Sequence, residues 1–127
     1  MLKTDILNAP LLSALATLGH TDTVVIADCG LPIPAGPIVI DLALVRGTPS
    51  FAEILAVLAR NLVIESSTLA SEARGTGVQQ ICENHGLDAG FVSHEQLKEA
   101  LPHAKVVVRT GEVTPYANVI LHCGVDF

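Results

Sequence analysis

Five polar residues at the borders of apolar segments carry most of the chain's capacity for chemistry. His20 lies in Gly19-His20-Thr21-Asp22, and imidazole donates or accepts a proton near neutral pH. A structural role, complementing the C-terminus of a preceding helix, is the alternative for it. Asp28 closes the run Thr23-Val-Val-Ile-Ala-Asp28. Ligands of open α/β sheets collect at the carboxyl ends of strands. An acid there either meets a ligand hydroxyl or caps the following loop. His94 opens a helix whose start is marked by Ser93 and Gln96. A neutral imidazole there can hydrogen-bond a hydroxyl, or it is a plain surface residue. Tyr116, the only tyrosine, stands two residues before Asn118. On a strand the two would share a face, offering an aromatic plane beside an amide, which suits a sugar. Alternatively, Glu112 and the turn around it only shape a hairpin.

The remaining candidates read as structural. Asp41 interrupts an apolar strand and asks for a partner or for solvent. His85 and His103 adjoin Gly86 and Pro102 at element ends. The spacing of His20, Cys29, His122 and Cys123 matches no common zinc pattern, so no metal is expected. There is no G-x-G-x-x-G, Walker loop, H-E-x-x-H or G-x-S-x-G. That removes support for nucleotide cofactors, zinc proteases and serine hydrolases.

Composition narrows the field further. The 127 residues suit one domain, residues 1–127. Half the residues are hydrophobic and 16% charged, which excludes a disordered chain. The longest apolar run is the six residues Ile54–Ala59, far short of the roughly 20 that span a bilayer. The N-terminus lacks the features of a signal peptide, so a cytoplasmic protein without membrane insertion is expected. A net charge of −6 with no basic stripe argues against nucleic acid. Three cysteines without C-x-x-C read as reduced, buried thiols. The chain is apolar yet has only three Phe, one Tyr and no Trp. So small an aliphatic domain is expected to hide apolar surface in a homo-oligomer.

The elements that must position these residues alternate. Asn8 caps a first helix with Leu11, Leu15 and Leu18 on one face, stopping at Gly19. Thr23–Asp28 reads as a strand buried on both faces. Residues 29–37 are too rich in Gly and Pro for regular structure. Strands are expected at 38–44, 62–69, 90–92, 105–109 and 116–123. Helices are expected from Ser50 to about Arg60, from about Thr76 to Gly86, and from Ser93 to Pro102. The strand–helix–strand unit over 38–69 implies parallel strands. The fold class is α/β: a layered single domain with a mixed, largely parallel sheet flanked by helices.

Four segments carry a resemblance. ILNAPLLSALATLGHTD (6–22), VVIADCGLPIP (24–34), SHEQLK (93–98) and RTGEVTPYANVIL (109–121) resemble the D-ribose pyranase family of small sugar mutarotases, encoded with bacterial ribose transport systems. The likeness runs nearly end to end and is weakest between about Ser66 and Gly90. Gly30-Leu31-Pro32 and Tyr116-Ala117-Asn118 follow the ribose-type pattern rather than that of the related fucose mutarotases. Cys29 stands where an alanine is commoner. The resemblance implies that His20 is a proton donor and that Asp28, His94, Tyr116, Ala117 and Asn118 contact D-ribose. It implies no cofactor and no metal. It also implies a ring-shaped homo-oligomer, often two stacked pentamers forming a homodecamer, with sites near subunit interfaces. Within such a site Asp28 would orient His20 or hold a hydroxyl. A non-catalytic sugar-binding accessory of transport, or a fucose-type mutarotase, are the competing expectations.

Overall fold

The computed structural model describes residues 1–127 as one sheet between two unequal layers. In chain order the elements are helix α1 (Ala9–Leu15), strands β1 (Thr23–Ala27) and β2 (Ile38–Asp41), α2 (Phe51–Asn61), β3 (Ile64–Ala70), α3 (Gly77–Asn84), β4 (Ala89–Val92), α4 (His94–Ala100), β5 (Val106–Arg109) and β6 (Val119–Cys123). The helix starts follow from local chemistry. Asn8 accepts the Leu11 N–H at 2.9 Å. Ser50 with Glu53 and Ser93 with Gln96 form reciprocal capping boxes, each satisfying two amides that the helix leaves unpaired.

The strand order is β2-β5-β1-β6-β3-β4. Only β6 runs against the others: it is antiparallel to β1 and β3, while the remaining pairs are parallel. The sheet is therefore mixed and largely parallel, as expected. β2 and β3 point the same way, yet three strands separate them, because α2 carries the chain across the sheet rather than to a neighbouring strand.

One face packs against α1, α2 and α3 around Val24, Ile26, Phe51, Leu55, Leu58, Val106, Val108 and Leu121. Each such aliphatic side chain contributes about 1.5–3 kcal/mol on burial. The second face carries Val25, Ala27, Val107 and Ile120 under α4 and the 28–37 loop. β1 is covered on both faces, with Val24 to Ala27 at 0% exposure. At the edge, β2 leaves Ile38 and Val39 partly in solvent.

Two strands are three residues shorter than expected. β2 ends at Asp41, whose Oδ1 accepts the Ala43 N–H at 3.0 Å in a local turn while Oδ2 accepts from Arg109 Nη1 at 3.2 Å. β6 begins at Val119, not at Tyr116, because Tyr116 has φ +62° and belongs to a turn. Residues 44–48 fold back onto Gly111: Gly47 N–H donates to the Gly111 carbonyl at 2.6 Å, and Gly111 N–H to the Pro49 carbonyl at 2.9 Å. A Cβ on Gly111 would fall onto the carbonyl oxygens of Thr48 and Val45, so the contact requires glycine.

Candidate active site

The β1–β6 register assembles the core of the site. Ile26 stands opposite Val119, so Asp28, just after β1, and Asn118, just before β6, meet at one end of these two central strands. They are locked together twice. The Asn118 amide donates to Asp28 Oδ2 at 2.9 Å, and its oxygen accepts the Asp28 N–H at 2.8 Å. Asp28 Oδ1 accepts the Gly30 N–H at 2.9 Å. A carboxylate has about four lone-pair sites. Asp28, half-buried, keeps some of them for a ligand.

His94 and Tyr116 reach the same end of the sheet's strands from other elements. β4 ends at Val92 beside Ala70 of β3, and α4 starts two residues later. Both carboxylate oxygens of Glu72, just past β3, accept the His94 N–H at 3.2 and 3.3 Å. The His94 and Tyr116 rings meet edge-on, with centroids 5.1 Å apart and planes at 81°. His94 Nδ1 is buried without a hydrogen-bond partner.

The expected site residues divide into three groups. Asp28, His94 and Tyr116 come together with side-chain surface available. Ala117 and Asn118 are 1% and 0% exposed. Asn118 does not share a strand face with Tyr116, since both its polar atoms point at Asp28. His20 is elsewhere: it precedes β1, whereas Asp28 follows it, and β1 alone spans about 16 Å. The expectation that Asp28 orients His20 therefore does not hold within one chain. His20 instead faces Glu65, Nε2 to Oε2 3.5 Å, with half its side chain in solvent. It borders a cleft of about 250 Å³ shared with Leu18, Val63 and Phe127. None of the main clefts takes in Asp28, His94 or Tyr116.

The His20 turn is rigid for a visible reason. Asp22 Oδ2 accepts the Gly19 N–H at 2.7 Å and Lys105 Nζ at 3.0 Å. These bonds, the Gly19 amide first, hold the Asp22 carboxyl below its ordinary range. Lys105 also donates to the Thr17 carbonyl at 2.7 Å, and Thr21 takes φ +72°.

Supporting residues escaped the sequence reading. Glu72 lies in the segment with the weakest pattern, 22 positions from His94, and no local signal marks it. Arg109 donates to the Cys29 carbonyl at 2.9 Å, fixing the loop after Asp28. Its place inside the motif RTGEVTPYAN was the available clue. Cys82 and Cys123 are buried free thiols, as expected, and burial pushes Cys82 up to about 11. Cys29 departs from that expectation and is only half-buried. Asp41 has the expected partner, Arg109. No three His, Cys, Asp or Glu side chains converge as metal ligands.

A carboxylate at the end of a central strand, with an imidazole and an aromatic ring at the same end of the sheet, suits a small polyhydroxylated ligand. The model of the RbsD / FucU transport protein family matches residues 1–126. Over the full length of both chains, the sequence is 52% identical to D-ribose pyranase of Exiguobacterium sibiricum and 53% identical to that of Bacillus cereus. The structure of Bacillus subtilis RbsD complexed with D-ribose superposes with a TM-score of 0.94, at 45% identity and 100% coverage of both chains. The fucose mutarotase of Streptococcus pneumoniae, in complex with L-fucose, gives 0.78 at 26% identity and 94% coverage of both. The chain belongs to the RbsD / FucU family.

Proposed function

We propose that this protein is a D-ribose pyranase, an isomerase interconverting the pyranose and furanose forms of D-ribose. The observation that carries this reading is the grouping of Asp28, His94 and Tyr116 at one end of the sheet's strands, in a chain that superposes on a ribose-bound relative. Higher identity and TM-score to the ribose-bound structure than to the fucose-bound one favour ribose over fucose.

Ribose changes ring size only through the open-chain aldehyde. The C1–O bond of the ring breaks, a proton is placed on the departing ring oxygen, and the anomeric hydroxyl gives one up. Closure through a different hydroxyl gives the other ring. Each positioned proton transfer contributes roughly 10²–10⁴-fold. His20 is the donor on this reading. Asp28 accepts hydrogen bonds from sugar hydroxyls with its remaining lone pairs. His94 supplies a further polar contact, and Tyr116 an aromatic platform. Ala117 and Asn118 act from beneath, Asn118 by fixing the Asp28 carboxylate. The chemistry needs neither metal nor cofactor.

Because His20 lies at the opposite end of β1, the donor on this reading comes from a neighbouring copy. A homo-oligomer of stacked pentameric rings, a homodecamer in the cytoplasm, accommodates this. Exposed Leu44, Val45 and Val113 supply apolar surface for such packing. The test is NMR saturation transfer between the ring-form signals of D-ribose. Accelerated exchange by the assembled protein is expected. Ribose binding with unaltered exchange would replace the enzyme by a sugar-binding accessory, and faster exchange of L-fucose than of ribose would change the substrate.

A further inference from the structure

Glu112 makes more contacts than a hairpin turn requires. Its Oε1 accepts the Phe51 N–H at 3.1 Å, at the start of α2. Its Oε2 accepts the N–H groups of Val113 and Thr114 at 3.1 and 3.2 Å and the Thr114 hydroxyl at 3.0 Å. Four donors converge on one half-buried carboxylate, and none belongs to a cation. The main chain of Glu112 is equally engaged. Its carbonyl accepts the Cys29 N–H at 3.0 Å, and its N–H donates to Thr110 Oγ1 at 3.1 Å. The Thr110 hydroxyl in turn donates to the Ala27 carbonyl at 2.8 Å.

One residue thus ties together the start of α2, the turn leading into Tyr116 and the two residues flanking Asp28. Tyr116 needs such restraint, since a bulky residue at φ +62° is held by its surroundings rather than by preference. We propose that Glu112 is a positioning residue for the ribose site, holding Tyr116 and Asp28 in register without touching the sugar. The proposal rests on the ribose-pyranase reading for its kinetic consequence but not for its structural one.

Partial burial pushes the Glu112 carboxyl upward, but the hydrogen bonds from Phe51, Thr114 and Val113 outweigh it and the group titrates below the ordinary range. The ionised form is therefore the one that holds the turn. Glutamine cannot replace it, because one terminal atom of an amide is a donor and would face N–H groups.

The test exploits the single tyrosine in a chain without tryptophan. Tyrosine fluorescence anisotropy then reports Tyr116 alone, with or without sugar. For Glu112→Gln, anisotropy is expected to fall in the sugar-free, assembled protein. The KM for ribose should rise, and kcat/KM should drop by roughly tenfold to a hundredfold, the scale of a displaced positioning group. Glu53→Ala is the control, because it weakens the other cap of α2 without reaching Tyr116. It should lower the melting temperature and leave anisotropy and KM unchanged. Where Glu112→Gln fails to assemble, Thr114→Val, which removes one donor, should shift anisotropy and KM the same way by less. Unchanged anisotropy in an assembled variant would overturn the proposal, as would equal KM shifts from Glu53→Ala. Loss of anisotropy in a protein whose wild type does not exchange ribose would uphold the positioning and remove only the substrate.

Discussion

Asn118→Ala separates two ways in which a buried amide can serve a sugar site. In the structure the side chain makes two hydrogen bonds, both to Asp28, and is fully buried. The bond to the carboxylate is worth about 1.5–3 kcal/mol, and the one from the Asp28 N–H about 0.5–1.5 kcal/mol. Alanine should therefore destabilise each subunit by about 2–4.5 kcal/mol. Asp28 is half-exposed, so water recovers part of the loss and the lower half of that range is expected. Asn118→Asp probes the same pair without a cavity. It keeps the acceptor for the Asp28 N–H but sets a second carboxylate 2.9 Å from Asp28 Oδ2 in place of the amide. The pair then shares one proton, with a folded-state value raised above that of the unfolded chain. A raised value gives stability that is present at low pH and lost as pH rises through it. Urea unfolding at fixed subunit concentration, run from pH 4 to 8 beside ribose exchange, reads both effects. Wild-type stability in Asn118→Ala combined with lost ribose affinity would refute this reasoning, because the amide would then be serving the sugar rather than Asp28.

Other perturbations give separable outcomes. His20→Ala and Asp28→Asn should each abolish exchange, but their co-assembly at equal ratio should restore about one quarter of the sites if donor and acceptor edges come from different copies; an inactive mixture, verified as mixed by mass, would place both residues in one chain's site. Glu112 is depressed in the folded state, so its stabilisation is present above the ordinary carboxylate range and lost as pH falls through the folded value. Glu112→Gln should accordingly flatten the acid limb of a thermal-melt pH series. Gly111→Ala drives a methyl into two backbone carbonyls that cannot swing aside, and should cost about 1–3 kcal/mol or more, read by the same melts.

Local chemistry made the helices legible. Ser50 with Glu53 and Ser93 with Gln96 announced α2 and α4 because a capping box involves residues three apart. The central strand was legible because burial on both faces writes an unbroken apolar run, Val24 to Ala27. The order of strands was not, since a crossover helix specifies direction rather than neighbour, and three strands consequently lie between β2 and β3. The start of β6 is hidden for a related reason. Tyr-Ala-Asn-Val alternates like a strand, but the turn that contains Tyr116 is fixed by Glu112, Phe51 and Cys29, whose contacts are tertiary. Glu72 escaped because its bond to the His94 amide spans 22 positions with no pattern linking them. The motif residues themselves are visible in the sequence, whereas the two bonds between the Asn118 side chain and Asp28 are tertiary pairings at the ends of separate strands.

On the pyranase reading, the separation of His20 from Asp28 ties assembly to activity. A five-residue strand is rigid at this scale, and β1 is the most buried strand of the sheet, so no loop motion within one chain closes a gap of about 16 Å. The chain presents an imidazole at one end of the strands, on a turn stiffened by Asp22 and Lys105. At the other end it presents a fixed carboxylate with His94 and Tyr116. A contact that joins one end of a copy to the other end of its neighbour is either isologous, closing as a two-fold dimer, or heterologous, closing into a ring where its rotation permits. On the pyranase reading, a lone subunit therefore holds both halves of a site without owning a complete one. Dilution below the assembly threshold should extinguish exchange before it unfolds the chain.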